Sequence, residues 1–129
     1  MIDVWNRVMT NLTIALGDSV AKISSTVSYA PAKFPTVAVE QIDNRDYAVD
    51  LENTENAVMS VIRIQVFSNK NITEARNISG KICDVMRQMG YRRSFGPEPV
   101  PNASDTSIFR MEMRFRNVIN GIDQIPRFE

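Results

Sequence analysis

Histidine is missing from all 129 residues of this chain. That excludes His-based acid–base catalysis, Ser–His–Asp machinery and most transition-metal sites. Cysteine occurs once, at Cys83, so no internal disulfide framework exists and a reducing compartment is expected. No apolar run approaches the ~20 residues needed to span a bilayer. The opening stretch MIDVWNRVMT lacks the basic flank and apolar core of a secretory signal. The five glycines form neither a GxGxxG nor a P-loop pattern. Net charge is also absent: 15 basic residues balance 15 acidic ones, which argues against a general nucleic-acid binder. Cys83 reads as a small half-buried residue, since nothing marks a base beside it. Asp43 and Asp46 read as part of a solvated loop rather than an acid–base pair or cation site. The expectation is no enzyme, no cofactor and no metal.

What the chain does have is periodicity. Its length suits one domain spanning residues 1–129, with 120–129 as a C-terminal tail. Trp5, Val8, Met9, Leu12, Ala15 and Leu16 recur at helical spacing, with Asp3 placed to cap and Gly17 to terminate. Ala21–Tyr29 is a weak strand signal and Thr36–Gln41 a short strand. Residues 44–56 are polar, acidic and aperiodic, and are expected to be a long loop. Ala57–Ser68 alternates as a strong strand. Asn71-Ile72-Thr73-Glu74 has capping-box spacing and opens a second helix over Ile72–Met89, ended by Gly90. Tyr91–Phe95 is a short strand, Gly96–Asn102 a proline-rich turn, and SIFRMEMRFRNVI (107–119) the last strand. The predicted class is α+β. A two-layer sandwich is expected, with a four- to five-stranded, mainly antiparallel sheet and two helices on one face.

The last strand divides its residues between two faces. Phe109, Met111, Met113 and Phe115 form an apolar row that calls for a core. Ile108, Arg110, Glu112, Arg114 and Arg116 form the other row, which Arg63 and Arg93 can extend. Two readings of that charged face are open. It is either solvated sheet, where exposed ion pairs contribute only ~0–1 kcal/mol each, or a protein–protein contact, where arginine's planar fork binds carboxylates. Charge is also unevenly spread along the chain. Between Glu40 and Glu55 six acids (Glu40, Asp43, Asp46, Asp50, Glu52, Glu55) face one base, Arg45, whereas from Lys81 onward eight bases meet six acids. Ile122, Ile125 and Phe128 leave three apolar residues on the tail, which must dock on something.

The order of these segments resembles the tail terminator, or tail-completion, proteins of long-tailed bacteriophages. The resemblance is carried by the opening helix, FPTVAVEQIDN (34–44), VMSVIRIQVFSN (58–69), the amphipathic NITEARNISGKICDVMRQMGY (71–91) and the final SIFRMEMRFRNVI, and it covers roughly residues 3–119. It implies a structural virion protein of the tail and neck, assembled in the host bacterial cytoplasm. Copies would form a ring, as a rule a hexamer, at the head-proximal end of the tail tube. The ring stops tube polymerisation, joins tail tube protein to neck and head-completion proteins, and lets DNA pass without sequence-specific binding. It implies no catalysis, no cofactor and no membrane. The expected contact residues are Arg63, Arg110, Glu112, Arg114 and Arg116 on the strand face, Asp43, Asp46, Asp50 and Glu52 in the acidic loop, and Ile122, Ile125 and Phe128 on the tail. The alternatives are a head-completion or neck connector protein, or a nucleic-acid module that uses its sheet as a platform.

Overall fold

The structure is a computed structural model. It describes residues 3–29, 31–49 and 55–128, without the side chains of 45–49, 55, 56 and 122. Helix α1 (Trp5–Leu16) opens the chain, and the Asp3 carboxylate accepts the Trp5 N–H at 3.0 Å. Three strands follow, β1 (Lys22–Ser24), β2 (Thr36–Val49) and β3 (Glu55–Ser68). Helix α2 (Ile72–Gln88) leads into β4 (Arg92–Val100) and β5 (Phe109–Ile119). The sheet order is β1-β2-β3-β5-β4, antiparallel except for the short β1–β2 pair. This is the expected α+β fold, a mostly antiparallel five-stranded sheet with two helices packed against it.

Alternation along the strands makes the core. Val37 and Val39 of β2, Val58, Ile62, Ile64 and Val66 of β3, and Met111, Met113 and Phe115 of β5 point to the helices and are buried. Val8, Leu12 and Leu16 of α1 and Ile78, Ile82 and Met86 of α2 close over them. At the start of α2, Asn71 Oδ1 accepts the Glu74 N–H at 2.8 Å. The Glu74 carboxylate turns instead to the Ser68 hydroxyl at 2.7 Å, so the helix start is tied to the end of β3.

Ser60, the polar member of β3's inner row, meets the Tyr91 hydroxyl at 2.8 Å. Burial raises the Tyr91 phenol to about 12, against a smaller opposing effect of the Ser60 hydrogen bond. The folded chain therefore keeps this proton above pH 10, where the unfolded chain gives it up. The contribution, on the order of 2–3 kcal/mol, is whole below pH 10 and is lost as pH rises towards 12. Tyr91→Phe should flatten that alkaline decline. Urea midpoints of both proteins between pH 8 and 12 check it, and an identical slope in the variant would refute the assignment.

Several expectations give way. Of the loop expected over 44–56 the described residues are strand: β2 runs to Val49 and β3 begins at Glu55, paired from Asn44↔Ser60 to Val49↔Glu55 with register shifts after Asp46 and Ala48, and 50–54 lie outside the described residues. Backbone pairing with β3 supplies what the polar side chains do not advertise. β5 reaches only Ile119, opposite Val58, so the pairs Ala48↔Ala57 and Val49↔Glu55 extend beyond it as a two-stranded ribbon. The proline-rich turn is also strand, because β4 is an edge and can carry Pro97 and Pro99 without breaking a ladder on both sides. The Ala21–Tyr29 strand shrinks to three residues. Phe109 is 38% exposed rather than core, because it lies at the sheet's end opposite Ser68, the last residue of β3.

The tail docks on its own chain. Ile125 is 1% exposed. Buried Asn11 donates to the Pro126 carbonyl at 2.7 Å and accepts the Phe128 N–H at 3.0 Å. Arg7 donates to the Ile125 carbonyl at 3.1 Å. Ile125 is thus withdrawn from the expected partner contacts. Phe128 packs half-buried against the same core, and the Ile122 side chain lies outside the described residues.

Candidate functional site

The helices cover one face of the sheet, so the even-numbered residues of β5 and the odd-numbered residues of β3 share the other. Strand register sets them in rows. Phe67 stands opposite Arg110, Gln65 opposite Glu112, Arg63 opposite Arg114, and Val61 opposite Arg116. On the flanks, β2 adds Glu40 beside Arg63, while β4 adds Phe95 beside Arg114 and Arg92 beside Arg116. The structure therefore brings Arg63, Arg110, Glu112, Arg114 and Arg116 onto one surface.

The face is uneven. At one end the β1–β2 connection crosses it. Val27 and Phe34 pack over a small second core of Ala38, Phe67 and Ile108. The Tyr29 ring stands edge-on to Phe67, at 6.3 Å between centroids, and Asn102 donates to the Tyr29 carbonyl at 2.8 Å. The Arg110 guanidinium lies 5.0 Å from the Tyr29 ring centroid. An entirely bare outer face is therefore not what forms, because the segment before β2 needs a place to bury Val27 and Phe34.

Away from that end, charge takes over. Glu40 accepts two hydrogen bonds from Arg63, at 2.7 and 3.0 Å, and these hold Arg63's guanidinium above its ordinary range against the opposing effect of burial. Arg114 lies 5.5 Å from the Phe95 ring centroid and 3.6 Å from a Glu112 oxygen. A guanidinium held over an aromatic ring and beside a carboxylate in this way is restrained by both. Arg116 and Arg92 are exposed and face each other across β5 and β4, and neither makes an ion pair among the described residues.

Of the acidic residues singled out, Asp43 is half-buried on β2 opposite Val61. Asp46 holds a backbone position opposite Val58, and its side chain is outside the described residues, as are Asp50 and Glu52 entirely. Sequence reasoning missed Tyr29 and Phe95 as ring platforms, and Arg92 as a neighbour of Arg116. The β4 bulges at residues 93–95 and 95–98 that align Phe95 and Arg92 with β5 have no periodic signature. Gly96 was the available sign, since a glycine amid prolines in a strand marks such a bulge.

Among the described residues no group of acids and cysteine could hold a metal ion, and no helix is long and apolar enough to cross a membrane. Cys83 carries no disulfide. The chemistry of the face is multivalent hydrogen bonding to carboxylates or carbonyls. No protein-family model matches the chain, and a search of curated proteins finds no match.

Proposed function

We propose that the chain is a ring-forming structural subunit of the phage tail-terminator kind, which caps the tail tube and joins it to the neck while DNA passes through. One observation carries the self-association: the outer face opposes Arg92 to Arg116 across neighbouring strands with no ion pair among the described residues to offset them, whereas Arg63 and Arg114 are offset by Glu40 and Glu112. Like charges directly opposite destabilise a sheet, and residues that break a local rule mark functional surfaces. A neighbour's carboxylates relieve that repulsion. Such pairing sets register and rejects wrong partners more than it adds affinity. A closed ring further requires two different patches on each copy, and a basic sheet face and an acidic run at 43–55 supply two candidates.

The test separates contact from fold. Arg114→Glu removes the contact with Phe95 and the partly exposed ion pair to Glu112 but sets a carboxylate opposite Arg63, so the isolated chain should keep its stability within ~1 kcal/mol. Sedimentation velocity should show the wild type in a salt-sensitive assembly and the variant shifted to monomer. A wild type that stays monomeric at every concentration, and does not co-assemble with tail tube protein, would overturn the reading.

A further inference from the structure

A second basic surface lies around the β4 edge from the arginine face. Between α2 and β4 runs a groove of about 780 Å³. Its floor is apolar, made by Cys83, Tyr91, Pro97, Met111 and Phe115. Its rim carries Arg76, Arg87, Arg92 and Arg93 against a single acid, Asp84. Arg87 is engaged with Asp84 at 2.9 Å. Arg76, Arg92 and Arg93 are exposed and make no ion pair among the described residues. Three unengaged guanidinium groups beside an apolar floor fit an acidic segment with some apolar character.

The chain itself contains one. Residues 43–55, DNRDYAVDLENTE, hold five acids and one base, with Tyr47, Val49 and Leu51 interleaved. Its described flanks are the end of β2 and the start of β3, where Ala48↔Ala57 and Val49↔Glu55 pair beyond the last residue of β5. β1 and β4 lie at opposite edges of the sheet, with β3 and β5 between β2 and β4. The run and the groove are therefore distinct patches, as a head-to-tail contact needs. The bulged, proline-bearing β4 cannot offer a regular ladder, which disfavours strand addition and leaves side-chain charge to hold the contact.

We propose that the α2–β4 groove of one copy receives the acidic 43–55 segment of the next. This rests on the self-association proposed above and identifies the patches that meet. Arg92 lines the groove and stands beside Arg116 on the outer face, so the two basic surfaces are continuous around the β4 edge.

Cys83, the chain's single cysteine, reports occupancy directly, because it lies half-buried in the groove floor. The first measurement is its rate of reaction with a small aromatic disulfide, across the concentrations at which sedimentation shows assembly. Assembled protein should react at least ~10-fold more slowly than dilute monomer. Assembly with an unchanged Cys83 rate would overturn this inference while leaving the ring reading in place. The second is a charge exchange. Arg76→Glu with Arg93→Glu, and separately Asp50→Lys with Glu52→Lys, should each raise the concentration needed for assembly roughly 100-fold by setting like charges together. Circular dichroism should show both variants folded, and a mixture of the two should assemble again. Failure of the mixture to assemble, or a groove variant that loses only DNA binding while assembling normally, would overturn it. A wild type that never associates would overturn both this inference and the reading beneath it.

Discussion

Met113→Asp is expected to destabilise the fold severely and to lower its urea midpoint well below that of the wild type. Met113 is fully buried at the centre of the inner face, opposite Ile64, within the cluster that joins both helices to the sheet. The substitution removes a buried side chain, worth roughly 2–5 kcal/mol with its cavity, and sets a carboxylate where no donor can reach it. The sum is about 4 kcal/mol or more, against a total stability of roughly 5–15 kcal/mol for a domain of ordinary size. Urea denaturation followed by tryptophan fluorescence reads the loss, since Trp5 packs against the same cluster. A midpoint close to wild type would mean that the two faces of β5 are assigned the wrong way round.

The second large effect is at Gly96. Its φ of +69° is in the left-handed region, and a Cβ there would fall 2.2 Å from the Glu112 carbonyl oxygen and 3.0 Å from the Glu98 nitrogen. Both neighbours are backbone, so nothing can swing aside. Gly96→Ala should cost about 2–4 kcal/mol, combining backbone strain with displacement of β4 from β5. The damage should be local first, with amides of β4 exchanging with solvent ahead of those in β2 and β3. A loss under ~0.5 kcal/mol would contradict the close approach. The same bulge aligns Phe95 with Arg114 and Arg92 with Arg116, so the variant would also disturb the arginine face.

The two helices and the central strands were legible because their own residues carry the period. The row Val58, Ser60, Ile62, Ile64, Val66 could not be read otherwise, and its polar member found Tyr91 as partner. Both faces of β5 were legible from Met111 to Arg116 for the same reason. What was not legible depends on residues far along the chain. The polar end of β2 is strand because β3 pairs with it. Pro97 and Pro99 are strand residues because the sheet ends there. Tyr29 reaches Arg110, and Asn11 reaches Pro126 and Phe128, across separations that no local pattern encodes. The arginine face was legible as a stripe, but its opposed pairs were not, because the bulges of β4 decide which residue stands beside Arg114 and Arg116.

In the proposed ring, neighbouring copies meet along the arginine face and the β4 edge. Electron cryomicroscopy of the purified wild-type protein at low ionic strength tests it most directly. The predicted image is a closed ring in which Arg92, Arg114 and Arg116 of each subunit lie against the next one. A lone molecule, or a ring in which that surface is open to solvent, would contradict it.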